Sequence, residues 1–294
     1  MVLHPDEDGS AQRVPYLMRV RNDDIADRIR EIRHGGTGYT RTGMIPRFSL
    51  AGTQSKFALA RHGERLFWSD SVTPSTHILK PESLAHTGLE QIEAATLDLA
   101  RRAGVRAAVA RQETFAGDSC FVIERFDRLP GPDGLVARLH AEDMTQALGR
   151  PACEKYSIHA QGIVALLRKQ PQPEKLLEAF LKLFAFNVLI GNSDAHAENY
   201  SVLHTATRIE ISPLYDAIPM GMFPEYDQSL SMPVGRAGQA KHVGAESWDS
   251  EARNCRVDPA LLRGLVASVA RGILEHLDDT LGAVPHPRAT GRAL

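Results

Sequence analysis

Asp194 and Asn199 stand in the stretch Asn192-Ser193-Asp194-Ala195-His196-Ala197-Glu198-Asn199, directly after a long apolar segment. An aspartate and an asparagine at this spacing suit phosphoryl transfer. One carboxylate must sit beside the attacking hydroxyl to take its proton, and a hard oxygen ligand must reach the Mg²⁺ that bridges the phosphates. The same residues also make an ordinary helix cap or turn, so the stretch gains weight only from its company.

That company is spread along the chain. Asp216 ends the short apolar run Ile211-Ser212-Pro213-Leu214-Tyr215, which is where a kinase carries its second metal-binding aspartate, although no Phe-Gly follows. Lys80 ends the predicted strand Thr76–Lys80, and Glu93 lies in the predicted helix behind it. A strand lysine on the phosphates, braced by a helical glutamate, is the other half of a kinase site. Ser49-Leu50-Ala51-Gly52-Thr53-Gln54-Ser55-Lys56 is a small-residue loop before a strand. Its backbone N–H groups suit a phosphate cradle, yet it is neither a Walker motif nor a GxGxxG loop. Glu124 and Phe126 fall where two halves of the chain join, the expected place for an adenine ring.

The elements that must position these residues read as follows. A helix starting at an Asn22 cap carries Ile25, Ile29 and Ile32 and ends at Gly35-Gly36. Alternation around Lys56-Phe57-Ala58-Leu59 predicts a strand, as does Cys120–Ile123. Residues 89–103 predict an amphipathic helix stopped by Gly104, and Pro81 is expected to stop the strand before it. Beyond the turn cluster Pro130-Gly131-Pro132-Asp133-Gly134 the pattern is mainly helical. Glu174–Ile190 is apolar nearly all round and so belongs at a domain centre. A last amphipathic helix carries Leu261, Leu262, Leu265, Val266, Val269, Ile273 and Leu277. The predicted organisation is a polar segment 1–18, a strand-rich N-lobe 19–127, a helical C-lobe 128–285 and a tail 286–294. The fold class is α+β, a two-lobed protein-kinase-like fold with a small strand-rich N-lobe and a larger helical C-lobe.

Composition narrows the classes. At 294 residues the chain buries roughly three quarters of its unfolded surface without staples. Thirty-four basic against 36 acidic residues give a net charge of −2, which argues against a dedicated nucleic-acid binder. The three cysteines form no CxxC pair, which fits reduced thiols. No apolar run is long enough to span a membrane, and the acidic start is unlike a secretory leader. A cytoplasmic location is expected.

Taken together and in order, these parts match one family: the sequence resembles the HipA-like serine/threonine kinases, the toxins of bacterial toxin–antitoxin pairs, from about Phe48 to Leu281. Ser49-x-Ala51-Gly52-x-Gln54-x-Lys56 resembles the phosphate loop, and Ser75–Pro81 the lysine strand. Ile123–Arg128 is similar to the hinge, and Glu142–Gly149 to a conspicuous family helix. Asp194–Asn199 resembles the catalytic loop and Leu214-Tyr215-Asp216 the metal aspartate. The resemblance implies that Asp194 is the base, that Asn199 and Asp216 hold Mg²⁺, and that Lys80 binds the phosphates of ATP. It further implies adenine contacts from Glu124 and Phe126, a loop-orienting His196 and autophosphorylation at Ser49. It implies a protein substrate of the aminoacyl-tRNA synthetase kind, a helix-turn-helix antitoxin, and DNA contact only through that antitoxin. Only 48 residues precede Ser49, like the short HipT-type kinases of split systems, where a separate small protein supplies an N-terminal subdomain. Two other readings stay open: a small-molecule kinase of the aminoglycoside type, and a non-catalytic antitoxin-binding module. A metal-dependent hydrolase on Asp194, His196 and Asp216 ranks last, having no HxxxH or HxH pair behind it.

Overall fold

The computed structural model describes residues 18–35, 55–69, 74–82, 88–131 and 136–284. Ser49 and Gly52 lie outside the described residues, as do the segments 1–17 and 285–294.

Helix α1 (Asn22–Arg33) buries Ile25, Ile29 and Ile32 on one face and stops before Gly35, whose φ of 90° is in the left-handed region. Its cap is Arg21 rather than Asn22. The Arg21 main-chain N–H donates to the Asp24 carboxylate at 3.1 Å, which satisfies the start of the helix one residue earlier than expected. Behind α1 lies an antiparallel sheet of β1 (Phe57–His62), β2 (Arg65–Trp68), β3 (His77–Pro81), β4 (Ala110–Phe115) and β5 (Asp118–Glu124), in the order β2-β1-β3-β5-β4. Helix α2 (Leu89–Arg102) enters between β3 and β4. β3 ends at Pro81 as expected, with the proline taken in as its last residue. It pairs with Cys120 at the strand end, a position where a missing N–H is tolerated. Ala116 and Gly117, both at positive φ, make the tight β4–β5 turn.

Strand alternation divides β3 between two tasks. Leu79 joins Ile25, Ile29, Phe57 and Val122 in the core under α1, while Ile78 and Lys80 face the inter-lobe cleft. The hairpin β6 (Arg128–Pro130) and β7 (Val136–Arg138) follows the crossing. There Asp127 takes both Arg125 and Arg128 at 2.7 Å, and Arg128 Nε donates to the Ser75 carbonyl at 2.6 Å.

The second lobe contains β8 (His140–Asp143), α3 (Met144–Ala147), α4 (Ala160–Leu167), α5 (Pro173–Leu189), β9 (Ser201–His204), β10 (Ile209–Ile211), β11 (Ser229–Val234), β12 (Ala237–Gln239), α6 (Ala245–Asn254) and α7 (Pro259–Thr280). It is less uniformly helical than the sequence pattern predicts. The stretch expected as one helix, Glu142–Gly149, opens as the end of β8 and continues as the single turn α3, capped by Asp143. Strands β10-β9-β8 form a sheet against α5, and such three- and four-residue strands are too short to show alternation. Helix α5 is central as expected, with Phe180, Phe184 and Phe186 fully buried, although Leu189 at its end is exposed. On α7, Leu262, Val269 and Ile273 face inward while Leu261 points to solvent.

Helix α7 also packs on α2. A Cβ on Gly272 would stand 2.6 Å from Ala103 Cα, so only glycine permits this approach. Leu97, Leu99 and Ala100 of α2 accordingly belong to the large core of the second lobe.

Candidate active site

The two lobes enclose a cleft of about 1580 Å³. Lys56, Lys80, Glu93, Glu124, Phe126, Asp194, His196, Asn199 and Asp216 all line it. Every described member of the set predicted from sequence is therefore brought to one place.

Lys80 is the centre of the upper half. The residue is 5% exposed, and its ammonium lies 3.1 Å from both carboxylate oxygens of Glu93 and 2.8 Å from Asp216 Oδ1. Burial works against the charge on Lys80, but Asp216 and Glu93 outweigh it and raise its pKa. Burial pushes the Glu93 carboxyl up to about 7 against the pull of Lys80. Asp216 is held below the usual carboxylate range by Lys80, against burial. Lys56, at the threshold of β1, is buried nearby; burial and the like charge of Lys80 lower its pKa.

Asp216 does not end a continuous strand. β10 stops at Ile211, and the chain is then held by a bridge of Leu214 to Ala107, with Leu214 N–H donating to Arg106 O and Ala108 N–H to Leu214 O, each at 2.8 Å. Pro213, with no N–H to give, cannot extend the ladder. Asp216 itself has φ 56°, a left-handed conformation that aspartate tolerates better than most residues and that turns its carboxylate toward Lys80. Tyr215 fixes the approach. Its hydroxyl donates to Glu198 O at 2.7 Å and lies 2.7 Å from Ser201 Oγ, and its ring stands 5.3 Å from that of Phe126.

The lower half is the loop after α5. Asn192 Nδ2 donates to Asn187 Oδ1 at 2.9 Å, and Asn187 Nδ2 to the Tyr200 hydroxyl at 3.0 Å, a buried chain that sets the path of the loop. The His196 main-chain N–H donates to Asn199 Oδ1 at 3.1 Å. Burial and Lys155 lower the His196 pKa against Asp194, Glu198 and Asp216. Glu124 is half-exposed, 3.5 Å from Arg111, and its main-chain N–H is bonded to Val109 O.

Sequence reasoning missed two neighbours of this loop. The Tyr156 hydroxyl donates to Asp194 Oδ1 at 2.9 Å, and its ring meets His196 edge-on at 5.0 Å. Lys155 pairs with Glu198 at 3.3 Å and lies over the Tyr156 ring. Both come from the irregular stretch between α3 and α4, whose residues carry no spacing signal. The donors in the cleft fit the groups that the sequence pattern implies. Asp216 and Asn199 offer the hard oxygens that Mg²⁺ takes, and Lys56 and Lys80 offer buried positive charge for phosphate oxygens.

A sheet lobe over a mainly helical lobe, with a buried Lys–Glu pair where they meet, defines a two-lobed kinase-like α+β fold. Comparison with known proteins then gives the family. The chain belongs to the HipA-like C-terminal domain family, whose profile matches residues 48–277. It is 33% identical over 247 residues to the putative kinase Y4mE of Sinorhizobium fredii, covering 80% of this chain and 58% of that one. It is 31% identical over 206 residues to the serine/threonine-protein kinase toxin HipA of Shewanella oneidensis, covering 64% and 47%. The chain thus spans about half the length of these curated relatives. The solved complex of Shewanella oneidensis HipA with HipB and operator DNA matches with a TM-score of 0.80 and 26% identity, covering 95% of this chain and 68% of that chain. No helix among the described residues is long and apolar enough to cross a membrane.

Proposed function

We propose that this chain is an ATP- and Mg²⁺-dependent serine/threonine protein kinase and the toxin of a toxin–antitoxin pair. One observation carries the reading: the Lys80 ammonium is buried between Glu93 and Asp216 in the cleft that also holds Asp194 and Asn199. Such a cluster costs desolvation and has no structural need to line a cleft, but it is what phosphoryl transfer requires. The kinase relatives support the same conclusion.

Asp216 and Asn199 would hold Mg²⁺, which when bound would neutralise charge on the phosphates. Asp194 receives the proton of the substrate serine or threonine hydroxyl, with Tyr156 fixing one of its oxygens. Lys80, braced by Glu93, offers its charge to the phosphate oxygens, and Lys56 adds a second cation beside it. The Glu124 main chain and the Phe126 ring bound the adenine side. His196, buried in the loop, orients it rather than moving the proton. Ser49 and Gly52 belong to the proposed phosphate loop, with Ser49 as the autophosphorylation site.

HipA of Shewanella oneidensis is solved with HipB and operator DNA. This supports an antitoxin partner here, and the family resemblance implies one of the helix-turn-helix kind, with DNA reached through it. The family resemblance points to a translation component such as an aminoacyl-tRNA synthetase as the substrate.

Incubation of the purified chain with radiolabelled ATP and Mg²⁺, alone and with a bacterial lysate, tests the reading. Label on protein bands, lost in Asp194→Asn, is expected, with phospho-Ser49 among the mapped peptides. Label only on a small molecule favours the aminoglycoside-type alternative, and no turnover the non-catalytic module.

A further inference from the structure

We propose that His140, Glu142 and His204 form a separate site for a borderline divalent transition metal, such as Zn²⁺, on the face of the β8–β9 ladder that points away from the cleft. The register builds it. His140 and Glu142 are two apart on β8 and so share one face, and His204 of β9 stands directly opposite His140. His204 Nε2 lies 2.9 Å from Glu142 Oε2, and His140 Nε2 lies 3.6 Å from Glu142 Oε1. One donor atom from each residue falls within 4.8 Å of both others, with the two rings 5.0 Å apart.

Chemistry selects the ion. Two imidazoles and a carboxylate make the three-ligand set of open zinc sites, whereas Mg²⁺ demands oxygen donors and keeps its water. The site is thereby distinct in kind from the Asp216–Asn199 pair. Tetrahedral bonds of about 2.1 Å put ligands roughly 3.4 Å apart, so the present donors need only close by about an ångström. The exposed side chains can do this by rotation, since His140 is 67% and His204 37% exposed. The same exposure leaves the fourth position to water.

The site has a mechanical consequence. Ala141 and Asp143 alternate with the two β8 ligands and line the cleft. A cation on the outer face ties β8 to β9 across the ladder, and so fixes the strand that forms part of the cleft wall. This inference stands on ligand geometry alone and does not depend on the kinase reading.

Titration of Zn²⁺ into the untagged full chain tests it, with excess Mg²⁺ present and Cys153→Ser removing the exposed thiol. One Zn²⁺ per chain is expected, with a rise in unfolding temperature that EDTA reverses. His140→Gln and His204→Gln should each weaken binding by more than about 100-fold, since even outer-shell partners contribute 10–100-fold. Unchanged circular dichroism and an unchanged metal-free melting temperature show that either variant still folds. Absence of Zn²⁺ binding, or binding that survives either substitution, overturns the proposal.

Discussion

The Tyr156 hydroxyl, 38 residues upstream, donates to Asp194 Oδ1 at 2.9 Å. Burial and the adjacent Asp194 push the Tyr156 pKa up to about 12, so the phenol stays a donor throughout the physiological range. One oxygen of the carboxylate is thus committed to the protein, and in the proposed mechanism the other takes the substrate hydroxyl.

This arrangement separates two variants. Asp194→Asn removes the proposed proton acceptor and should lower phosphoryl transfer by roughly 10²–10⁴-fold with Mg·ATP binding retained. Tyr156→Phe removes only the orienting bond, which at this half-exposed side chain contributes about 1.5 kcal/mol, the low end for a bond to a charged group. It should lower kcat by about tenfold and leave the KM for ATP unchanged. Steady-state kinetics on both variants check this, and a Tyr156→Phe loss as deep as that of Asp194→Asn would contradict it.

The Lys80 cluster makes a prediction about stability. Lys80→Ala leaves Glu93, 3% exposed, without its cation, and breaking a buried pair from one side costs about 3–5 kcal/mol. The double variant Lys80→Met with Glu93→Leu should recover most of that loss while remaining inactive. Urea unfolding of the three proteins reads the difference.

His77 predicts a pH dependence. Burial, with Arg61 and Arg111 nearby, lowers its pKa to about 4 from the ordinary value of 6.5. The folded state therefore binds fewer protons than the unfolded chain between these values. The stabilisation is fully present above about pH 6.5 and is lost as pH falls toward 4. The slope for this one group is at most about 1.4 kcal/mol per pH unit, less what solvent screening removes. His77→Gln should flatten that part of a denaturant-midpoint profile measured from pH 7.5 to 4.

Asp216 predicts the phenotype. If the proposed kinase chemistry drives toxicity, expression in a bacterial host slows growth, and Asp216→Ala, which deletes a proposed metal ligand, restores it. Equal inhibition by both forms would assign the effect to something other than catalysis.

Much of the site was legible because its residues carry local signatures. Asp194 and Asn199 share one loop, and Lys80 and Glu93 sit on consecutive elements whose hydrophobic patterns are strong. The pieces without local signatures were not legible. Tyr156 reaches Asp194 only through the tertiary path between α3 and α4. The three-stranded β10-β9-β8 sheet is made of strands too short to show a hydrophobic alternation, so the second lobe read as more helical than it is. The Asn22 cap failed because several polar residues compete at that helix start, and Asp24 decided the matter by bonding to Arg21. The left-handed turn at Asp216 left no mark in sequence, since no glycine announces it.

The contact of Gly272 with Ala103 bears on how the lobes move. Glu93 rides on α2, and α2 is seated on α7 of the opposite lobe with no room for even a methyl group between them. A swing of α2 alone would have to break that seat. Opening of the cleft should instead pivot about the α2–α7 contact, with β1, β2 and β3 tilting over a stationary helix. On this geometry the Lys80–Glu93 pair would join the tilting strands to the seated helix.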